Sequence, residues 1–506
     1  MNKKYIISLD QGTTSCRTII YDKNGSVISS SQKEFTQYFP KSGWVEHNAM
    51  EIWHTQCATL IEAVNLKSIN VDHIAGIGTT NQRETVVAWN KKTGLPICPA
   101  IVWQDRRTAD FCKELINDEK TDFFRKKTGL VIDAYFSATK IKWIIENIQQ
   151  AKELLKDNNL LVGTIDTWLV YKLTNHKVHI TDATNASRTM LFNIKDRKWD
   201  SEILKLLNIP RSILPEVKNS SEIYGYFELP LFKTLKDIKI PIASAIGDQQ
   251  AALFGQKCFL SGDVKNTYGT GCFILVNTGE KIVYSKNGLL TTIALSIDNK
   301  IQYALEGSVF IAGAGIQWLR DNLRIIYNSE QSEWYANMAA KKNQNRVFVV
   351  PAFTGLGAPY WDSYARGAIF GIERDTKRED IIKATLEAIA YSSKDILETM
   401  KEDIGYDFKN IKVDGGASQN NYLMQFQADL FSKTITRPKN LESTALGAAF
   451  LAGLAVKFWT WSDIKNINET NKTVFSPKIS EDNASKLHTT WKKVIKKTLN
   501  WVNEIK

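Results

Sequence analysis

Two strand–turn–strand segments with the same turn chemistry lie about half of the 506-residue chain apart. In the first, residues 5–9 (YIISL) and 16–21 (CRTIIY) flank the turn DQGTTS. In the second, residues 264–268 (VKNTY) and 272–277 (CFILVN) flank the turn GTG. Runs rich in apolar and β-branched residues on both sides of a glycine-containing turn are typical of β-hairpins. The repeat therefore predicts two related halves, each built around such a hairpin.

Strand and helix patterns alternate after the first hairpin. Residues 51–64 (EIWHTQCATLIEAV) place apolar side chains at helical spacing, whereas residues 74–78 (IAGIG) and 85–89 (TVVAW) are short apolar runs typical of strands. Alternating strands and helices predict an α/β fold. Because no low-complexity linker interrupts the chain, we expect two closely packed domains, residues 1–254 and 255–506, with a cleft between them.

A third glycine-rich turn, DGGA at residues 414–417, follows a short strand and precedes a helix that starts near Asn420. Exposed backbone N–H groups at such positions bind anions. Three turns of this kind around one cleft would hold a triphosphate, although each turn taken alone is equally consistent with a structural bend. The sequence contains neither GxxxxGK[ST] nor a GxGxxG after a strand, which excludes a P-loop and argues against a Rossmann dinucleotide site.

Composition narrows the class of protein and its partners. Apolar residues make up 43% and charged residues 24%, which is typical of a globular protein. The net charge of +11 is dispersed, so we expect no nucleic-acid partner. The longest uncharged run, residues 445–456, is shorter than the ~20 residues of a membrane span. Six cysteines without a CxxC pair indicate reduced thiols. We therefore expect a cytoplasmic protein without a membrane span.

Longer stretches resemble the FGGY family of carbohydrate kinases, part of the sugar kinase/heat-shock ATPase/actin superfamily. Both signature stretches of that family are present, the first at residues 135–144 (YFSATKIKWI) and the second between Gly355 and Glu387. The other matching stretches are GWVEHN (43–48), TTNQRET (79–85), VWQDRRTA (102–109), TNASRTMLFN (184–193), GDQQAALFGQ (247–256), NTYGTGCF (266–273) and PAFTGLGAPYWD (351–362).

The resemblance implies an α/β fold of two actin-like ATPase (ribonuclease H-like) domains with the catalytic cleft between them. It implies ATP and Mg²⁺ as cofactors and glycerol as the substrate, which would be converted to sn-glycerol 3-phosphate. Members of the family form oligomers, so a homodimer or homotetramer is expected.

Arg83 and Glu84 are adjacent in the sequence and follow a strand pattern. A guanidinium donates hydrogen bonds and a carboxylate accepts them, so the pair suits vicinal hydroxyls, although a surface ion pair is the simpler interpretation of the residues alone. The resemblance implies that both bind the polyol. It adds the Tyr135 phenol and Gln249 as further polyol contacts. It also implies that Trp103 and Phe273 form an apolar wall against the carbon chain of the polyol, although ordinary core packing would explain these two residues as well.

Asp248 precedes a helical pattern in the stretch GDQQAALFG. The residue type alone suits a helix N-cap. The resemblance implies that Asp248 binds the attacking hydroxyl and accepts its proton as the catalytic base, and that Asp10 helps to position Mg²⁺. It implies a further set of residues around the nucleotide: Thr13, Thr14, Ser15, Arg17, Thr270, Gly313, Gln317, Gly416 and Asn420.

Two alternatives differ from phosphorylation of glycerol. A related kinase could act on another polyol or sugar, but such relatives usually carry a QMHG-like stretch where this chain has NQRE at residues 81–84. An actin- or chaperone-like ATPase would need an additional module, and no spare segment is long enough. Residues 225–241 lack the glycine cluster with which some relatives bind fructose 1,6-bisphosphate, so we expect no such regulation.

Overall fold

A computed structural model describes residues 3–228, 239–341, 347–362, 364–408, 410–467 and 472–502. Most of the segment expected to lack a fructose 1,6-bisphosphate site, residues 229–238, lies outside these ranges.

Strands and helices alternate through the first half of the chain. Its strands are β1 (Tyr5–Gln11), β2 (Ser15–Tyr21), β3 (Val27–Glu34), β4 (Glu46–His47), β5 (Ile74–Asn81), β6 (Val86–Asn90), β7 (Ala100–Ile101), β8 (Leu160–Thr164), β9 (Ile180–Asp182), β10 (Phe192–Asn193), β11 (Lys198–Trp199), β12 (Glu216–Lys218), β13 (Ser221–Tyr226) and β14 (Pro241–Gly247). Its helices are α1 (Ala49–Asn65), α2 (Ala109–Asn117), α3 (Thr121–Thr128), α4 (Ser137–Asn147), α5 (Gln149–Lys156), α6 (Ile165–Leu173), α7 (Ala183–Ala186), α8 (Ser201–Leu207) and α9 (Asp248–Gly255).

The second half has longer helices. Its strands are β15 (Asp263–Tyr268), β16 (Cys272–Gly279), β17 (Leu290–Ile297), β18 (Lys300–Val309), β19 (Phe348–Val350), β20 (Ala368–Phe370), β21 (Asn410–Asp414), β22 (Ile435–Pro438) and β23 (Lys472–Phe475). Its helices are α10 (Gly313–Gln317), α11 (Gln331–Ala340), α12 (Arg378–Ile404), α13 (Asn421–Phe431), α14 (Ser443–Ala455), α15 (Trp461–Asn466) and α16 (Glu481–Lys496), with a π-helical turn at Trp318–Asn322.

The two main sheets share one strand order. In the first, the order is β3-β2-β1-β5-β14, with β13 at the edge, and in the second it is β18-β16-β15-β21-β22, flanked by β17 and β23. In both sheets the first three strands pair antiparallel and the next two join in parallel. The repeat expected from the two hairpin turns is therefore present as two sheets, and the predicted α/β fold of two ribonuclease H-like domains is confirmed.

Parallel pairing brings the loops after β1, β5 and β14 to one edge of the first sheet. Gln11 and Gly247 both lie opposite Asn81 in register. Strand β5 is buried along its whole length, as expected for a central parallel strand covered on both faces. The residues that follow these three strands are consequently neighbours in space.

The two halves are joined where α9 crosses α14. Gly255 and Gly447 lie at the crossing, where a Cβ on Gly255 would overlap the carbonyl oxygen of Ser443 and one on Gly447 that of Ala251. Glycine at both positions allows the two helix backbones to come into direct contact. No helix in the described parts of the chain is long and apolar enough to cross a membrane.

Candidate active site

The loops after β5 and β14 bring Arg83 and Asp248 into contact. Nε of Arg83 lies 3.2 Å from Oδ1 of Asp248. Asp248 is the first residue of α9, after the N-cap residue Gly247, and its Oδ1 accepts a hydrogen bond of 2.7 Å from the backbone N–H of Gln249. The Arg83 side chain is only 2% exposed, whereas that of Asp248 is 27% exposed and remains accessible from the cleft.

The two carboxyl groups at this edge have raised pKa values. Burial raises the pKa of Asp248, and the positive charges of Arg83 and Lys265 oppose that rise. Burial raises the pKa of Asp10 to about 6; Arg17 lowers it and the charge of Asp248 adds to the rise. The effect of Asp248 on Asp10 indicates that the two carboxyl groups are close enough to interact.

Three aromatic rings line the neighbouring surface. The Trp103 ring contacts those of Tyr135 and Phe273 in edge-to-face geometry, with centroids 5.5 and 6.5 Å apart. The Arg83 guanidinium lies 6.0 Å from the centroid of Phe273. Nε1 of Trp103 donates a hydrogen bond of 3.0 Å to Oγ1 of Thr13, which ties the aromatic surface to the first glycine-rich turn.

A buried glutamate of the second domain holds the Arg83 guanidinium. Glu306, in the middle of β18, accepts hydrogen bonds from Nη1 and Nη2 of Arg83 at 2.5 and 2.9 Å. Nη1 also donates to Oε1 of Gln250 at 3.1 Å. Burial opposes ionisation of Glu306, but Arg188 and Arg83 outweigh it and lower the pKa of Glu306 to about 2. The carboxylate is therefore charged throughout the physiological pH range.

Glu84 is held by a second buried arginine. Nε of Arg188 donates to Oε1 of Glu84 at 2.6 Å, and Nη2 of Arg188 donates to Oε1 of Glu306 at 3.1 Å. Neither Arg188 nor Glu84 is more than 2% exposed. Two positive and two negative side chains thus form one buried, mutually paired cluster.

Gln249 contacts a lysine of the second domain. Nζ of Lys265, on β15, donates to Oε1 of Gln249 and, at 3.0 Å, to Oγ1 of Thr267. Burial lowers the pKa of Lys265 to about 8, although Asp414 and Glu306 oppose that shift. Lys265 of the second domain therefore places a titratable positive group beside the start of α9, where Asp248 lies.

The first glycine-rich turn is closed by a hydrogen bond from the backbone N–H of Gly12 to the carbonyl oxygen of Ser15 at 2.9 Å. Oγ of Ser15 accepts from the amide of Gln32. Arg17, on the strand after the turn, forms an ion pair with Glu442, which immediately precedes α14. Thr14, at the tip of the turn, is exposed.

The second turn is bound to the start of α10. The backbone N–H groups of Gly313 and Ala314 donate to the carbonyl oxygens of Gly269 and Thr270 at 3.0 and 3.1 Å. A Cβ on Gly313 would lie 2.6 Å from the carbonyl oxygen of Gly269, so this position requires glycine. Gln317, at the end of α10, is exposed.

The third turn packs directly on the second. Gly415 has φ +83°, and a Cβ there would overlap the carbonyl group of Tyr268. A Cβ added to Gly416 would meet no other atom within 4 Å. Asn420 caps α13 by accepting from the N–H of Leu423 at 2.9 Å, and its amide donates to Oγ of Ser332.

Six of the expected polyol residues lie together: Arg83, Glu84, Trp103, Tyr135, Asp248 and Phe273. The second and third glycine-rich turns also lie together. Gln249 and Arg17, by contrast, have partners across the domain interface. Sequence reasoning did not single out Glu306, Arg188 or Lys265. A signal was present, since Glu306 is the single charged residue of the strand-like run YALEGSV, and Lys265 lies inside the strand-like run DVKNTY, whose other charged residue is the first, Asp263. A charged residue that is fully buried almost always has a partner, so a charge in a strand covered on both faces indicates a buried ion pair or hydrogen bond.

Comparison with known proteins assigns the family. Residues 5–255 match the N-terminal domain and residues 264–456 the C-terminal domain of the FGGY family of carbohydrate kinases. The glycerol kinase of Malacoplasma penetrans is 57% identical over 99% of this chain and 99% of its own length. That of Mycoplasmopsis pulmonis is 58% identical over 100% of this chain and 99% of its own.

Solved structures of carbohydrate kinases have the same fold as this chain. The crystal structure of Plasmodium falciparum glycerol kinase with ADP has a TM-score of 0.91 at 37% identity and covers 99% of both chains. The gluconate kinase of Lactobacillus acidophilus, at 22% identity, has a TM-score of 0.88 over 99% of this chain and 100% of its own, which reflects the fold alone. The chain belongs to the FGGY family of carbohydrate kinases.

Proposed function

We propose that the protein transfers the γ-phosphoryl group of ATP to a terminal hydroxyl of glycerol and so produces sn-glycerol 3-phosphate. The observation that carries the proposal is the contact between Arg83 and Asp248 where the loops after β5 and β14 meet. The identity of the substrate is supported by full-length relatives at 57 and 58% identity that are glycerol kinases.

The polyol would lie against the surface formed by Trp103, Tyr135 and Phe273, because apolar rings suit its carbon chain and polar groups surround them. Arg83 would donate to its hydroxyls, and Glu84 would accept from them. A site with buried groups that require hydroxyl partners can reject a deoxy analogue by up to ~10⁴-fold, since those groups would be left unpaired.

Asp248 would accept the proton of the attacking hydroxyl. Its carboxylate is partly accessible and lies beside Arg83, so it can contact both the arginine and a bound hydroxyl. Proton acceptance by a positioned carboxylate contributes roughly 10²–10⁴-fold to such a reaction. Gln249 would hold the start of α9 against Lys265 and thereby fix the direction of the Asp248 side chain.

The three glycine-rich turns would hold the nucleotide. We assign the phosphates to Thr13, Thr14, Ser15 and Thr270, and the remainder of the nucleotide to the region of Gly313, Gln317, Gly416 and Asn420. In the present arrangement Arg17 pairs with Glu442. It would therefore exchange this carboxylate for a phosphate oxygen when ATP binds.

Asp10 suits a hydrated Mg²⁺ ion. In the described ranges no cluster of three or more acidic, histidine or cysteine residues could hold a metal by itself. Mg²⁺ characteristically takes one or two carboxylates together with phosphate oxygens and water. The raised pKa of Asp10, caused by burial and Asp248, indicates a carboxylate that a cation would stabilise. When bound, the ion would neutralise phosphate charge.

A cytoplasmic location and a homodimeric or homotetrameric state remain predictions.

A coupled assay with ATP, Mg²⁺ and a panel of glycerol, xylulose, gluconate and other polyols tests the proposal. Glycerol should give the highest kcat/KM. A higher value for another polyol or sugar would assign the protein to the alternative, a related kinase of the same family.

A further inference from the structure

The cluster of Arg83, Glu84, Arg188 and Glu306 spans both domains. Arg83 and Glu84 follow β5 and Arg188 follows α7 in the first domain, whereas Glu306 lies in β18 of the second. All four side chains are 2% exposed or less. Removing one partner from such a cluster would leave a buried charge uncompensated, so its members hold one another in fixed positions.

The cluster decides which atoms of Arg83 can reach a ligand. A guanidinium has five N–H donors. Both hydrogens of Nη1 are engaged by Gln250 and Glu306, and one hydrogen of Nη2 is engaged by Glu306. Nε makes no hydrogen bond and faces Asp248. Within the described residues, one Nη2–H and the Nε–H therefore have no hydrogen-bond partner; Nε itself is buried beside Asp248, so a hydroxyl bound there would contact both groups.

The cluster also decides which oxygen of Glu84 is open. Oε1 accepts from Nε of Arg188. No hydrogen bond to Oε2 is formed by any of the residues that the structure describes. A ligand hydroxyl would consequently donate to Oε2, and Arg188 determines which way that oxygen points.

We propose that Glu306 and Arg188 are positioning residues for the polyol site: they fix which donors of Arg83 and which oxygen of Glu84 face the substrate. The inference rests on the function proposed above. Glu306 has a second effect, because it attracts the Arg83 guanidinium away from Asp248. Without that attraction Arg83 would pair more tightly with Asp248 and make the carboxylate a weaker base.

Glu306→Gln tests the first residue. Gln keeps the shape of the side chain but accepts with only one oxygen and carries no charge, so Arg83 should reorient towards Asp248. We expect KM for glycerol to rise at least tenfold and kcat to fall, while KM for ATP stays within twofold of the wild-type value. Arg188→Lys keeps the charge but replaces the guanidinium, whose Nε and Nη2 serve Glu84 and Glu306 together, with a single ammonium nitrogen, and should raise KM for glycerol in the same way.

A double variant separates positioning from stability. Glu306→Gln leaves the cluster with a net positive charge and should lower Tm. Glu306→Gln combined with Arg188→Gln restores neutrality, so Tm should recover towards the wild-type value while KM for glycerol remains raised. Asp395→Asn is the matched control, because Asp395 is a buried acid of the second domain that accepts from Tyr360 and Trp491. It should lower Tm without changing KM for glycerol.

The inference is overturned if Glu306→Gln or Arg188→Lys lowers Tm but retains the wild-type KM for glycerol, or if KM recovers together with Tm in the double variant. If Glu306→Gln does not accumulate as folded protein, Arg188→Lys and the neutral double variant decide the question by the same criteria. Failure of the proposed function gives a different result: the wild-type protein would not turn over glycerol at all, and the variant-to-wild-type ratio would then be measured with whichever polyol it does phosphorylate.

Discussion

Arg83 and Asp248, 165 residues apart in the chain, lie with Nε and Oδ1 separated by 3.2 Å. The contact exists because β5 and β14 are adjacent parallel strands whose last residues, Asn81 and Gly247, lie opposite each other. An arginine and a carboxylate at neighbouring strand ends give the cleft a group that can orient a hydroxyl and a group that can accept its proton.

Asp248→Asn should reduce kcat by about 10²–10⁴-fold, because the amide cannot accept the proton of the attacking hydroxyl. Binding of ADP, measured by calorimetry, should be nearly unchanged. Asp263→Asn is a suitable control. Asp263 is a buried carboxylate at the start of β15, the end away from the second glycine-rich turn, and it accepts a hydrogen bond from the N–H of Leu260. Near-normal turnover of Asp248→Asn would remove the residue from its proposed role.

The loss of activity on the acid side of the pH profile should occur at a higher pH than an ordinary aspartate would give. Burial raises the pKa of Asp10 to about 6 and raises that of Asp248. The deprotonated carboxylates are the active forms, and Mg²⁺ would hold Asp10 deprotonated, so the fall should follow Asp248: kcat/KM should begin to decrease at a pH above the ordinary aspartate pKa and should be retained at higher pH. Thermal unfolding at each pH shows whether the fold persists. Constant kcat/KM down to pH 5 in a folded protein would contradict this expectation.

His488 should contribute a pH-dependent term to stability. Its Nε2 lies 2.6 Å from Oδ1 of Asp395 and its Nδ1 lies 3.2 Å from Oε1 of Glu398. Burial lowers the pKa of His488, but these two carboxylates outweigh burial and raise it above 6.5. The stabilisation is therefore complete below the unfolded-state pKa and is lost as the pH rises through the higher folded-state pKa.

His488→Gln should accordingly lower the free energy of unfolding by about 1.5–3 kcal/mol at pH 6, the range for hydrogen bonds to charged groups. The difference should shrink at pH 9, where the wild-type imidazole is neutral. Denaturant unfolding at both pH values measures it. His54→Gln, at an exposed position of α1, serves as the control. An equal loss for His488→Gln at pH 6 and pH 9 would show that its charge is not involved.

Gly447→Ala should destabilise the contact between α9 and α14. The added methyl group would overlap the carbonyl oxygen of Ala251, which belongs to a helix backbone and cannot move aside by itself. Overpacking of this kind costs about 1–3 kcal/mol, and Tm should fall accordingly. Gly315→Ala, inside α10, is the milder comparison, because its nearest neighbour is a Thr385 methyl group at 3.3 Å. Equal Tm values for the two variants would contradict the role of the helix crossing.

The two glycine-rich hairpin turns and the alternating strand and helix patterns were sufficient to predict two related α/β domains. These signals are local, because a hairpin, an apolar helix face or a glycine with positive φ depends on residues that are near one another in the sequence. The resemblance to the carbohydrate kinases supplied candidate site residues in the same way, as short stretches that each occupy one strand end and the turn after it.

The partners of those residues could not be predicted from the sequence. Glu306 lies 223 positions from Arg83, and Arg188 lies 104 positions from Glu84. Their contacts depend on where β18 of the second domain and the turn after α7 pack against the loop after β5, which no local pattern specifies. Sequence determined the strands, the turns and the types of side chain at their ends. Tertiary packing decided which opposite charges meet in the interior, because burial makes a charged group stable only where a partner from elsewhere in the chain is held beside it.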